Sequence, residues 1–450
     1  METAELIVVF LLAMVFLGIL AQRLAVPYPV LFVLGGLALG FLPGLPPLVL
    51  APELIFLVFL PPLLMAGGWF TSRRDLRANA RPIIWLAVGL VLVNTGVVAV
   101  VSHAALGLGW AVAFVLGAIV SPTDDVAVIA LAQTLRIPPR VMTIVSAEGL
   151  FNDVTSLVAY GFAVTAVTTG AFSVGDAVLS LVVVAVGGAA IGLAAGLLID
   201  WTVQRIDDVS LAITFTLLTP YAVYLAATAL GVSAVLAVVV TGVVSGSHEA
   251  RTLRATTRRP ALAVWQALTF LLNAFLFILV GLDFPAVLRD LVGPSLKANV
   301  GYAALISLTV IVFRLLWVFV MGYAPWLAGL PRQRRSLPPN WRNAVLMGWA
   351  GTRGAISLAA ALALPLAFPG RSLIIFVTFG VIFSTLVLQG LSLPSLLRWL
   401  RIADDGKIDR EESVARAASA EAALSESAQA PKRDTARRRR GGRKRCREAF

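Results

Sequence analysis

The stretch Leu116-Gly117-Ala118-Ile119-Val120-Ser121-Pro122-Thr123-Asp124-Asp125-Val126 decides how this chain is read, because a proline, two hydroxyls and two carboxylates interrupt an otherwise apolar run. A continuous helix is not expected there. Pro122 removes a backbone donor and disfavours helical geometry at Ser121, and adjacent carboxylates repel within one turn. Two half-helices meeting at an unwound Ser-Pro-Thr-Asp segment present carbonyls, hydroxyls and a carboxylate, which suits a hard cation or a proton. The alternative is a span that ends at Ser121 with both aspartates in the cytoplasm, since residues 108–120 make a short membrane helix.

Outward from this stretch, the composition sets the class. Of 450 residues, 59% are hydrophobic and 13% charged, and the mean hydropathy is +0.91. Soluble domains carry about 25% charged residues, so an aqueous globule is excluded. Apolar runs near 20 residues recur about thirteen times up to residue 395, which predicts an all-α polytopic membrane protein. The first run, residues 5–22, follows Glu2 and Glu5 with no basic n-region, so it reads as a retained span.

Arginine and lysine are distributed unevenly over the connections. Those after odd-numbered spans hold sixteen, and those after even-numbered spans hold only Arg289, Lys297 and Arg371. The positive-inside rule then predicts an outside N-terminus and a cytoplasmic C-terminal tail. The net charge of +12 does not signal nucleic acid, because 15 of the 36 basic residues lie at or after Arg398. Residues 401–450 read as a disordered basic tail, either solvated or touching anionic membrane lipids. The single cysteine, Cys446, excludes disulfide, iron–sulfur and cysteine-rich zinc frameworks.

Charges at membrane depth are costly, so each marks a candidate site. In Glu148-Gly149-Leu150-Phe151-Asn152-Asp153-Val154-Thr155-Ser156, positions 148, 152 and 156 share one helix face, and Asp153 lies about 100° round from Asn152. A purely structural polar cluster is the alternative. Met347-Gly348-Trp349-Ala350-Gly351-Thr352-Arg353-Gly354-Ala355-Ile356-Ser357 is weakened by glycines about where the fifth span breaks, if the chain is two six-span halves separated by the seventh span. Interrupted segments at matching places in two halves point to a transporter site, with Arg353 offsetting the carbonyl ends of the half-helices. The alternative for Arg353 is snorkelling to the headgroups. Arg314 is seventeen residues past Lys297 and eighteen before Arg332, too deep to snorkel, so it needs a buried acidic partner. Glu148 is the best candidate.

His103 and His248 fall at span ends and read as interfacial. No zinc set, hydrolytic triad or phosphate-binding loop is present in the sequence, so neither an enzyme nor direct ATP drive is supported, and no cofactor is expected.

Taken together, Ser121-Pro122-Thr123-Asp124, Asn152-Asp153 preceded by Glu148, the buried Arg314 and Gly351-Thr352-Arg353-Gly354-Ala355-Ile356-Ser357 resemble the monovalent cation/proton antiporters, specifically the NhaP-like bacterial sodium/proton exchangers. The resemblance runs over about 390 residues in order. It implies two inverted six-helix repeats with two crossed broken helices inside a transmembrane domain spanning 1–400. The implied core helices lie near 82–168 and 297–395, and the implied dimerisation helices near 1–70 and 174–282 of a homodimer.

By motif match, the resemblance makes Asp153 the carboxylate that carries either cation or proton and Asn152 its partner. Thr123 and Asp124 are implied at the first crossing, with Asp153 and Thr123 meeting the transported metal ion. Arg353 is implied as charge compensation in the second broken segment, and Glu148 with Arg314 as a structural ion pair. Asp125 and Ser156 are possible additional ligands. The implied activity is secondary exchange of Na+ for H+, one for one and electroneutral, by competition at Asp153 and alternating access. A K+/H+ exchanger of the same fold, or a passive cation channel or sensor, remains as an alternative. The implied partners are monovalent cations, protons, membrane lipids and a second copy, with no nucleic acid. The implied location is a bacterial inner membrane. Three positions depart from the pattern: Met65-Ala66 follows Pro61-Pro62-Leu63-Leu64 where a glutamate is common, Gly149 stands where serine is common, and Asp125 where proline is usual.

Overall fold

The computed structural model describes residues 3–401 apart from 25, 43–56, 133–136, 170–173, 253–254, 290–295 and 328–339, together with residues 417 and 421. The chain divides into two units, Met1–Ile402 and Ala403–Phe450. In the second, Ala417 and Glu421 are helical and exposed. The expectation of a disordered basic tail otherwise lies outside the described residues.

Among the described residues, the regular elements of the first unit are all helices. The N-terminal helices are α1 (Thr3–Leu24), α2 (Tyr28–Gly40), α3 (Leu60–Trp69) and the short surface helix α4 (Arg73–Ala78). Helix α5 (Ala80–Leu106) is wound as a π-helix over Trp85–Leu90. There follow α6 (Trp110–Val120), α7 (Val126–Ala132), α8 (Pro139–Thr169), α9 (Val174–Val203), α10 (Val209–Ala229) and α11 (Ala234–Thr252). Then come α12 (Ala255–Leu282), α13 (Phe284–Arg289), α14 (Leu296–Leu327), α15 (Trp341–Trp349), α16 (Ala355–Leu362) and α17 (Arg371–Leu400).

Seven helices among the described residues are long and apolar enough to cross a bilayer, and four shorter apolar ones accompany them. Their outer faces are apolar: Leu12 and Phe16 on α1, Val183 and Val186 on α9 and Leu211 and Leu218 on α10 are more than half exposed. Water would not tolerate that much apolar surface; lipid does. The expected fifth span, 108–134, is two half-helices, α6 and α7, and the expected twelfth, 344–366, is likewise split into α15 and α16. Part of the expected third span, residues 51–56, lies outside the described residues.

Packing sorts the helices into neighbourhoods. Leu64, Met65 and Trp69 of α3 pack with Val238 and Val239 of α11 and Trp265 of α12. Leu116, Ile119 and Val120 of α6 are buried against Ile306 and Val310 of α14 and Ile374 and Val377 of α17. A broken helix needs this cover, because the carbonyls freed at its break cannot face hydrocarbon. Helices α2 and α12 come so close that a Cβ on Gly36 would strike the Ile278 backbone, and one on Gly281 the backbone of Val33 and Leu37. With no hydrophobic drive between helices in lipid, such backbone contact is what holds them.

Candidate functional site

The two breaks meet. Asp124 N donates to Thr352 O at 2.7 Å, and Thr352 Oγ1 donates back to Asp124 O at 2.7 Å, forming an isolated antiparallel bridge. Ser121 keeps the helical backbone of α6 (φ −77°, ψ −38°), against the expectation for a residue before proline, and the chain leaves the helix only at Pro122, which has no N–H to continue it; the glycines at 351 and 354 loosen the second segment. Gly351 has no Cβ where one would collide with the Arg314 side chain, and a Cβ on Gly354 would collide with the Asp124 carboxylate.

Charges at the crossing are matched to the half-helix ends. The Asp124 carboxylate accepts from Val126 N at 2.8 Å, at the start of α7, and abuts Gly354 at the start of α16. Arg353 Nε donates to Val120 O at 3.1 Å, the end of α6, and its Nη1 donates to Gly351 O just past the end of α15. An acid therefore faces two N-termini and a base two C-termini, the arrangement the helix dipoles favour. Arg353 is 1% exposed, so its side chain does not run to the headgroups.

Helix α8 brings the second set of residues alongside. Glu148 and Arg314 are both buried and pair through two hydrogen bonds, Nη1 to Oε1 and Nη2 to Oε2, the second at 2.8 Å. Arg314 Nη2 also donates to Met347 O at 3.1 Å, in the last turn of α15. Thr123 Oγ1 donates to Glu148 Oε1 at 3.0 Å and accepts from Asn152 Nδ2 at 2.8 Å and Arg314 Nη1 at 3.5 Å. Its hydroxyl is thus spent within the protein. Its carbonyl accepts from Asn152 Nδ2 at 3.2 Å and keeps a second lone pair. Ser156 Oγ donates to Ala118 O at 2.7 Å, so it ties α8 to α6.

Two acceptors in this cluster are left over. Asn152 Oδ1 is buried and has no hydrogen-bond partner among the described residues. Asp153 is 8% exposed, no donor among the described residues reaches its carboxyl, and the charges that act on it are those of Asp124 and Asp125. Asp125 is partly buried, and its Cγ lies 3.4 Å from where a Cβ on Gly149 would sit. The extra carboxylate thus fills the corner beside the glycine. With every group ionised, Asp124, Asp125, Glu148 and Asp153 outnumber Arg314 and Arg353 by two negative charges, so the cluster attracts cations.

Sequence reasoning missed the support behind the first break. Ser121 Oγ accepts from Asn94 Nδ2 at 3.0 Å and from Thr95 Oγ1 at 3.1 Å, both on α5. The Arg353 backbone is held by Thr385 Oγ1 at 3.2 Å, in a π-helical turn of α17. Adjacent Asn94 and Thr95 in an apolar span were the available signal, but attention to ionisable groups alone passes over them.

Residues 9–399 match the family described as sodium/hydrogen exchanger, transmembrane. The chain belongs to the sodium/hydrogen exchanger family. A Na+/H+ exchanger of Mycobacterium tuberculosis is 37% identical over 429 residues, covering 93% of this chain and 78% of that protein. A sodium, potassium, lithium and rubidium/H+ antiporter of Bacillus pumilus is 35% identical over 418 residues, covering 86% of this chain and 61% of that protein. The fold matches that of the sodium proton antiporter MjNhaP1 of Methanocaldococcus jannaschii with a TM-score of 0.69 at 19% identity, over 89% of this chain and 99% of that one. This exchanger is a membrane cation/proton antiporter, a transporter rather than an enzyme.

Proposed function

We propose that the chain exchanges Na+ for H+ one for one, and that Asp153 is the seat for which the two ions compete. What carries this reading is the contrast between Asp153 and its neighbours: Glu148 is ion-paired and Asp124 is hydrogen-bonded to a backbone N–H, whereas no donor among the described residues reaches the Asp153 carboxyl. A carboxylate kept almost out of water without a donor takes its missing partner from a proton or a metal ion. Asn152 Oδ1 and the free lone pair of Thr123 O supply neutral oxygens beside it, as a hard cation requires. Asp124 and Asp125 add the negative field that draws the cation in.

Each turnover then moves one positive charge in each direction, so the exchange is electroneutral. Two copies form the working unit, with the helices near 1–70 and 174–282 as a static scaffold. The helices near 82–168 and 297–395 rock against it to expose Asp153 to either side. The bacterial relatives support a bacterial plasma-membrane location, and the arginine distribution supports a C-terminal tail in the cytoplasm.

The second reading is K+/H+ exchange at the same seat, favoured by the range of cations in the name of the Bacillus pumilus relative. The test is proton flux in proteoliposomes driven in turn by Na+, Li+ and K+, with and without a clamped voltage. Competition at one seat predicts that the Na+ concentration needed for half-maximal flux rises as pH falls, while the maximal rate at saturating Na+ is preserved. Voltage dependence would overturn the one-for-one stoichiometry, and faster flux with K+ than Na+ would favour the second reading.

A further inference from the structure

A groove of about 790 Å³ lies away from the ion site, walled by α14, α15 and α17. Its size falls in the range of small-molecule pockets, about 300–1,000 Å³. Leu316 and Phe319 of α14, Val345 and Trp349 of α15 and Leu396 and Trp399 of α17 form most of the wall. The few polar groups there are already engaged: Trp349 Nε1 donates to Ser392 Oγ at 2.9 Å, and Ser395 Oγ accepts from Arg398 Nη2 at 3.3 Å. A polar solute finds nothing to bond, so the occupant of the wall is apolar.

One end of the groove is different. Trp341, at the start of α15, meets Trp399, near the end of α17, edge-on with ring centroids 6.2 Å apart, and both residues are exposed. Paired tryptophans at helix ends mark the headgroup level of a bilayer. Three arginines lie at these two helix ends: Arg342, whose guanidinium lies 5.8 Å from the centre of the Trp341 ring, Arg398, the residue before Trp399, and Arg401, which caps the end of α17.

We propose that this groove binds one anionic phospholipid, an acyl chain along the α14–α15–α17 wall and the phosphate among Arg342, Arg398 and Arg401. Charge selects this occupant over the others. The chain's own tail carries Arg437 to Arg440 and the basic run from Arg443 to Arg447, and a second copy would bring its own three arginines to the same face; both are repelled. Basic pockets between membrane helices hold acidic headgroups for the same reason. The position carries a consequence for transport. Trp349 is the last residue of α15, next to the break that carries Arg353, so a bound acyl chain props the half-helix that ends at the crossing.

The test is native mass spectrometry of the full chain released from detergent after incubation with phosphatidylglycerol or phosphatidylcholine. The wild type is expected to retain one phosphatidylglycerol in preference to phosphatidylcholine by about tenfold. Replacing Arg342, Arg398 and Arg401 together by glutamine removes the headgroup preference while leaving the tail's charge intact. Ser395→Trp, which fills the wall, removes the retained lipid whatever its headgroup. A melting temperature in detergent unchanged from that of the wild type shows that both variants are folded. Equal retention of the two lipids by the wild type, or a phosphatidylglycerol preference unchanged in the arginine variant, overturns the proposal; so does undiminished retention by Ser395→Trp.

Discussion

Glu148 and Asp153 sit five residues apart on α8, yet their surroundings are opposite. Glu148 is closed in by Arg314, which reaches it from α14 with two hydrogen bonds, and by the Thr123 hydroxyl from the first break. No donor among the described residues reaches Asp153, and the charges that act on it are those of Asp124 and Asp125. The first carboxylate spends its charge on holding three elements together, and the second keeps its charge for something the protein does not supply. One turn and a half of helix thus separates a structural acid from an available one. Burial alone does not separate these two acids; the unmet hydrogen-bonding demand does.

The sharpest way to break this contrast is Asp153→Asn. Cation-driven proton flux is expected to fall to that of empty vesicles, while thermal stability changes by no more than about 1 kcal/mol, because no hydrogen bond is lost. Retained exchange would move the seat elsewhere. Glu148→Ala should do the reverse, lowering stability by about 3–5 kcal/mol because the Arg314 charge is left buried and alone. Denaturation of the purified protein measures it. Replacing both Glu148 and Arg314 by methionine should recover much of that loss, and a fully stable but inactive Glu148→Ala variant would transfer Glu148 to the ion site.

At the crossing, Arg353→Met leaves the Val120 and Gly351 carbonyls without their donor. A loss of about 1–3 kcal/mol is expected. Gly354→Ala, which drives a methyl into the Asp124 carboxylate, should cost a similar ~1–3 kcal/mol and slow exchange, since it displaces the acid from two helix N-termini. The smallest effect belongs to Ser156→Ala. Only the bond to Ala118 O goes, for about 1 kcal/mol, with exchange preserved. A large loss of cation affinity in that variant would instead make Ser156 a ligand.

Much of this arrangement is legible before folding. Pro122 between hydroxyls and carboxylates announces the first break, and Arg314, too deep to reach either membrane surface, announces a buried acid. The halves of the second break are readable from its three glycines. What the linear pattern does not display is how polar groups divide their bonds. Thr123 looks like a ligand through its hydroxyl, yet Glu148, Asn152 and Arg314 occupy that oxygen and leave only the carbonyl open. Asn94 and Thr95, 27 and 26 residues away from Ser121, are invisible as its supports until α5 is laid against α6.

Composition and spacing alone determined that the chain lives in lipid, that two of its helices break, and which charges must be buried, because the energetic penalty of charge and bare backbone in hydrocarbon is local and applies wherever such residues occur in an apolar run. Only the tertiary structure decided which acid is paired and which is left open, because a partner's reach depends on helices far apart in the chain arriving at the same depth. Arg314 comes from 166 residues beyond Glu148 to close one carboxylate, and among the described residues no donor comes for Asp153.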